Sequence, residues 1–302
     1  ALAFVAIMTR ALAFVAIITL LFLKSGNYKI NTITSHNFPS AMFSLWLFMS
    51  IVGVVRSHIA LTPSSCKSNT IVRNAFEEVY TESKWCQPPG SCSNLTDIRY
   101  YYTYGHVSRF DKRRSISGVG SDIGKVKMLQ SLQFISDVIK KYSVHSMLDI
   151  CGDLNWQMES MEIDLIDTYV GIDISRRVID MNKERFRFHS NKHFSTWDLT
   201  SCSFPKYSNA YTSTIESSFQ LYVIKDVMFH LSLSQAIRVA ENLKQSGALV
   251  VASTFNINHG NRLSPEFSPN GKFWKINLAL PPFNFPKPVE CVDDTFCLYD
   301  FR

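Results

Sequence analysis

The chain has 302 residues, 46% hydrophobic and 19% charged, a balance that suits a globular core and excludes a disordered protein. Its length accommodates one large α/β domain or two small ones. The formal net charge of +6 is mild, and the densest basic cluster, Arg109, Lys112, Arg113 and Arg114, reads as a solvated loop, so no nucleic-acid partner is expected.

Two apolar stretches open the chain. Residues 1–23 carry one charge, Arg10, and are long enough to cross a bilayer; residues 41–55 carry none and are nearer a signal-peptide core or short anchor. The segment ALAFVAI at 1–7 recurs at 11–17, a local duplication or a mistaken gene start rather than a solenoid repeat. Residues 1–60 are therefore expected to form a hydrophobic membrane anchor or signal region. One crossing would place the rest of the chain in the lumen and two would return it to the cytosol; the flanking charges are too evenly spread to decide. Cys66, Cys86 and Cys92, with the acceptor pattern Asn94-Leu95-Thr96, point towards an oxidising lumen. No cysteine spacing matches a zinc site, and no metal is expected.

Residues 61–114 are expected to be a loop-rich extension of the following domain, with a turn at 87–90 and tyrosines at 100–102 and 104 covering its edge. From there to residue 302, helix and strand patterns alternate. A helical period runs over 125–142, where Met128, Leu132, Ile135 and Ile139 share a face widened by Leu129 and Val138. Short apolar runs predict strands at 146–150, 168–173, 193–197, 219–224 and 248–255, with helices at 175–188 and 233–245 between them. Ser232 and Gln235 have capping-box spacing, and Gly247 follows the last helix. The tail offers strand-like pieces at 273–278 and 296–301 around Pro281-Pro282. This alternation predicts an α/β, Rossmann-like fold: a mostly parallel seven-stranded sheet over 115–302, covered by helices on both faces.

Open parallel sheets bind ligands beyond the carboxyl ends of their strands. After the first strand comes Asp149-Ile150-Cys151-Gly152-Asp153, where a glycine admits close backbone approach and the next helix N-terminus offers free N–H groups. Asp173 ends the second strand, 24 residues beyond Asp149, the place where a carboxylate grips the two hydroxyls of a ribose. Asp198 follows the third strand, placed for an adenine amino group. Lys225 and Asp226 follow the fourth, with His230 one turn on.

The loop Cys151-Gly152-Asp153-Leu154-Asn155-Trp156 resembles that of a largely uncharacterised family of class I S-adenosylmethionine-dependent methyltransferases. The resemblance continues in residues 76–85 (FEEVYTESKW), Ser117-Gly118-Val119-Gly120-Ser121, and Tyr169-Val170-Gly171-Ile172-Asp173-Ile174. It extends through Asp226-Val227-Met228-Phe229-His230-Leu231-Ser232 to Pro281-Pro282-Phe283-Asn284-Phe285-Pro286, leaving the first 60 residues uncovered. Two positions depart from the family pattern. The loop is one residue shorter before Cys151, and Lys225 stands where an arginine is usual, keeping the charge but losing the planar fork.

The resemblance implies S-adenosylmethionine as cofactor. Asp149, Cys151, Gly152 and Asp153 would hold its amino-acid end, with Asp153 on the amino group; Asp173, Ile174, Asp198 and Lys225 complete the expected cofactor residues. His230 is the candidate general base and Asp226 its orienter or a substrate ligand. The expected activity is methyl transfer to a small-molecule, glycan or lipid-linked acceptor, with the membrane reached through the N-terminus. The alternatives are a degenerate methyltransferase fold without catalysis, suggested by the shortened loop, and another nucleotide-binding Rossmann-like protein. No Gly-x-Gly-x-x-Gly follows any predicted strand, which disfavours the last.

Overall fold

A computed structural model describes residues 59–61, 69–81, 126–150, 166–209, 214–254, 261 and 274–302. The apolar N-terminal stretches, Cys66, Cys86, Cys92, Asn94, the tyrosine group, the 117–121 segment and the 151–156 loop lie outside the described residues. Among the described residues no helix is long and apolar enough to cross a membrane.

The elements in chain order are β1 (Ile59–Leu61), α1 (Thr70–Thr81), α2 (Val126–Tyr142), β2 (Ser146–Ile150), β3 (Thr168–Asp173), α3 (Arg176–Arg185) and β4 (Lys192–Thr196). They continue with β5 (Tyr207–Asn209), β6 (Thr214–Ser217), β7 (Leu221–Ile224), a 3₁₀ turn at Met228–His230, α4 (Leu233–Lys244), β8 (Leu249–Ser253), β9 (Glu290–Val292) and β10 (Phe296–Asp300).

The main sheet has seven strands in the order β4-β3-β2-β7-β8-β10-β9. From β4 to β8 all neighbours are parallel. β10 then pairs antiparallel with β8, and β9 antiparallel with β10, so the sheet is mixed. Strand order reverses between β2 and β7, the switch point of a doubly wound sheet. β2, β7 and β8 are buried at every position, as strands covered on both faces must be.

Alternation along the strands divides the core in two. Leu148, Ile150, Val170, Ile172, Tyr222, Val250 and Ala252 pack with Ala236, Val239, Ala240 and Leu243 of α4. Met147, Tyr169, Val223, Leu249 and Val251 pack with Met128, Leu132, Ile135 and Ile139 of α2 and with Ile179 of α3. The predicted stripe of α2 is the buried one, except that Leu129 is 47% exposed. In α4 both halves of the capping box form: Gln235 N donates to Ser232 Oγ at 3.4 Å, and Ser232 N to Gln235 Oε1 at 3.0 Å. Gly247, at φ +62°, turns the chain out of the helix.

Three features differ from the sequence expectation. The extension at 61–114 contains α1, and a second, three-stranded sheet joins β1 to β5 and β6. The segment expected as a strand at 273–278 is irregular where described, because side chains satisfy its backbone instead of a neighbouring strand. Asn277 N donates to Asn261 Oδ1 at 2.6 Å and Leu278 N to Thr254 Oγ1 at 3.2 Å. The seventh strand is β9, whose Cys291 is bonded to Cys297 directly opposite on β10. Cys202 is likewise disulfide-bonded.

Candidate functional site

The parallel strands end along one edge, and their terminal residues carry the acidic side chains. Asp149 pairs in register with Gly171 on one side and Val223 on the other. It is fully buried. The Tyr169 hydroxyl donates to its Oδ2 at 2.7 Å, while its Oδ1 has no hydrogen-bond partner. Burial pushes the Asp149 carboxyl up to about 7; the Tyr169 hydrogen bond and the charge of Lys225 pull the other way and only partly offset it.

The Tyr169 ring is held by its neighbours on the next strands. A Cβ on Gly171 would stand 2.7 Å from Phe194 Cδ1, so glycine is what lets the Phe194 ring lie against β3. Phe194 in turn lies 6.1 Å from the Tyr169 ring and stacks on Phe186 at 5.5 Å.

Asp173 closes β3 and is 7% exposed. Its Oδ1 accepts from Ser175 N at 2.7 Å and its Oδ2 from the Tyr80 hydroxyl at 3.4 Å. Ser175 caps α3 by accepting from Val178 N at 3.3 Å. Glu77 of α1 completes that helix start, accepting from Ser175 Oγ at 2.8 Å and from Arg176 N at 2.7 Å. Ile174, between the two, is buried.

Asp198 is also buried, and three donors converge on it: Thr200 N at 2.9 Å and Thr200 Oγ1 at 2.6 Å on Oδ1, and Asn69 N at 2.6 Å on Oδ2. Its carboxylate thus fixes the turn after β4 and the start of α1.

Beyond β7, Lys225 Nζ meets Asp226 Oδ2 at 2.5 Å. Ser253 at the end of β8 donates to Asp226 Oδ1 at 2.8 Å and accepts from Asp226 N at 2.9 Å. Asp226 adopts φ +57°, a conformation that non-glycine residues hold only where surroundings enforce it. Burial by itself would raise its pKa, but the Lys225 charge and hydrogen bond, Ser253 and the nearby His230 hold it below the ordinary carboxylate value. His230 is half-buried on the 3₁₀ turn, its ring 4.6 Å from Phe229.

Asp149, Asp173, Asp198, Lys225 and Asp226 therefore share the carboxyl edge of one sheet. Cys151, Gly152 and Asp153 lie outside the described residues. Sequence reasoning passed over Tyr80, Glu77, Tyr169 and Ser253. The first three sit inside the motifs at 76–85 and 169–174; Ser253 had no signal beyond ending a strand. Among the described residues no cluster of His, Cys, Asp and Glu is placed to hold a metal.

No family model matches the chain, and no curated protein does. Among solved structures the chain is similar to the methyltransferase domain of bacterial CtHen1, at 15% identity over 57% of this chain and 98% of that one, with a TM-score of 0.39. The magnesium protoporphyrin IX methyltransferase ChlM of Synechocystis PCC 6803 with bound SAM matches at 14% identity over 67% and 95%, TM-score 0.39. The N-methyltransferase NodS of Bradyrhizobium japonicum, solved with S-adenosyl-L-homocysteine, matches at 16% over 42% and 61%, TM-score 0.34. These overlaps are partial, and it is the strand order and switch point that assign the fold.

Proposed function

We propose that this chain binds S-adenosylmethionine at the carboxyl edge of its sheet and directs methyl transfer to a glycan, lipid-linked or small-molecule acceptor. The observation that carries the reading is Asp173: a buried carboxylate ending the strand beside β2, with Oδ1 accepting from Ser175 N and Oδ2 from the Tyr80 hydroxyl. A carboxylate ending that strand stands where a sheet of this kind grips the hydroxyls of a ribose. Asp149 fits the same ligand, since its buried Oδ1 lacks a partner and it directly precedes the loop that resembles the family's cofactor loop. The sequence motifs lend the reading its cofactor.

The cofactor supplies a methyl group already activated by a sulfonium. What the protein contributes is therefore binding and alignment more than acid–base chemistry. Asp173 fixes the ribose and so the direction in which the reactive centre faces. On the other side of the switch point, Lys225, Ser253 and Asp226 form a hydrogen-bonded group that holds the turn carrying His230. An imidazole nitrogen of His230 is the proposed acceptor for the proton of an attacking oxygen or nitrogen nucleophile.

The disulfides at Cys291–Cys297 and Cys202 support an oxidising compartment over the cytosol. Together with the Asn94 acceptor pattern and the apolar N-terminus, they favour a membrane-associated, lumenal protein and thus a glycan or lipid-linked acceptor.

Calorimetric titration of the full chain with S-adenosylhomocysteine, and separately with NAD, tests the cofactor. Binding of the first and not the second is expected. Binding of neither would leave a degenerate methyltransferase fold, and binding of NAD alone would mark a different nucleotide-binding protein.

A further inference from the structure

Helix α1 precedes the sheet domain's first helix, yet its polar side chains end among the residues of the carboxyl edge. Its apolar face, Val72, Ala75, Val79 and Tyr80, is buried, which is the spacing of one stripe on a helix. Asn69 caps it, accepting from Ile71 N at 3.1 Å and Val72 N at 3.3 Å. Three polar attachments then fix it. Asn69 N donates to Asp198 beyond β4 at 2.6 Å. Glu77 accepts from Ser175 Oγ and Arg176 N at the start of α3. The Tyr80 hydroxyl donates to Asp173 at the end of β3.

The chemistry of the third attachment sets it apart from the other two. The first two satisfy groups that any domain would have to satisfy: the backbone N–H of Asn69, and the orphan N–H groups and positive pole of a helix N-terminus. The Tyr80 hydroxyl donates, at 3.4 Å, to the carboxylate to which the cofactor reading gives the ribose. A phenol is a neutral donor, so it occupies one lone pair without cancelling the carboxylate's charge. A lysine or arginine there would neutralise the group. Ser175 N holds Oδ1 from one side and Tyr80 holds Oδ2 from the other, which fixes the plane of the carboxylate.

We propose that α1 is part of the cofactor site and that Tyr80 is its positioning residue, orienting Asp173 towards the two ribose hydroxyls. This rests on the S-adenosylmethionine reading above. Glu77, by tying α1 to the start of α3, holds Tyr80 at the height of Asp173, and the acid pair of the 76–85 motif gains a physical role at its first member.

The test is a binding cycle on the full chain with Tyr80→Phe, Asp173→Asn and the double variant. The ligands are S-adenosylhomocysteine and its 2′,3′-dideoxyribose analogue. Tyr80→Phe keeps the buried ring and removes one hydroxyl, so the fold should survive; a circular dichroism spectrum and thermal midpoint confirm it. Tyr80→Phe is expected to weaken S-adenosylhomocysteine about 3- to 10-fold, the loss of one neutral hydrogen bond. It should leave the dideoxy analogue unchanged and have no further effect in the Asp173→Asn background. Unchanged affinity, an equal loss for both ligands, or a loss that persists without the Asp173 carboxylate would overturn the proposal while leaving the cofactor reading intact. Failure of the unaltered chain to bind S-adenosylhomocysteine would overturn the cofactor reading, and this proposal with it.

Discussion

The Tyr169 hydroxyl reaches one strand across and donates to Asp149 at 2.7 Å, inside a core where the opposite carboxylate oxygen has no partner. Asp149 therefore keeps its proton to about pH 7, against an ordinary value of 3.8.

That shift makes a signed prediction for stability. Between the unfolded value near 4 and the folded value near 7, the folded chain holds a proton that the unfolded chain has lost, so this group's contribution falls as pH rises and is fully lost above about 7. Asp149→Asn removes the titration and keeps an acceptor for Tyr169. Urea unfolding at pH 4.5 and 7.5 should show the variant gaining on the parent at the higher pH by a few kcal/mol, on the order of one 1.36 kcal/mol step per unit. A difference that stays constant with pH would mean Asp149 is ionised throughout.

Gly171→Ala should destabilise the chain by about 1–3 kcal/mol through overpacking. The added Cβ would meet Phe194 Cδ1 at 2.7 Å and Cε1 at 2.9 Å, and the ring cannot retreat freely because Phe186 stacks on it. Phe194→Leu in the same chain should recover part of the loss. If equilibrium unfolding finds Gly171→Ala neutral, the ring has more room than these distances allow.

Asp173→Ala should weaken S-adenosylhomocysteine by on the order of 1.5–3 kcal/mol, the range for hydrogen bonds to a charged group. Calorimetry on a variant shown to be folded would read it directly. Unchanged affinity would assign Asp173 wholly to holding Ser175 and Tyr80.

Reducing the Cys291–Cys297 bond should cost about 2 kcal/mol, as expected when a loop of this size is released in the unfolded chain, given the sequence separation of 6. Unfolding with and without a thiol reductant, repeated on Cys297→Ala, provides the measurement. Hydrogen exchange should quicken at Glu290–Val292 while β2 and β7 stay protected; uniform quickening would contradict a local role.

What the sequence made legible, and what it hid, follows from range. Strands β2, β3 and β8 were readable because burial on both faces makes them continuous apolar runs, and α2 and α4 because one stripe repeats at helical period. The ends of β2, β3 and β4 placed Asp149, Asp173 and Asp198 on one edge without any contact being known. Helix α1 was hidden because its buried face mixes Val, Ala and Tyr with a β-branched start, Thr70-Ile71-Val72, and reads weakly. Its links to the site span 93 residues from Tyr80 to Asp173 and 98 from Glu77 to Ser175, beyond the reach of any local pattern. Strand β9 was missed because its turn is made by Asp293 and Asp294, both at positive φ, instead of the Asn-Gly or Asp-Gly that signals such hairpins.

The same hairpin decides how the sheet is finished at its margin. Strand β10 is buried at every position but its last, and only the three residues of β9 stand between it and an open edge. A bare β10 would offer another chain a row of unpaired backbone groups beside apolar side chains, the circumstance in which strands add intermolecularly. The Cys291–Cys297 bond ties that short cover across β10, so the margin is closed by a covalent link as well as by backbone pairing.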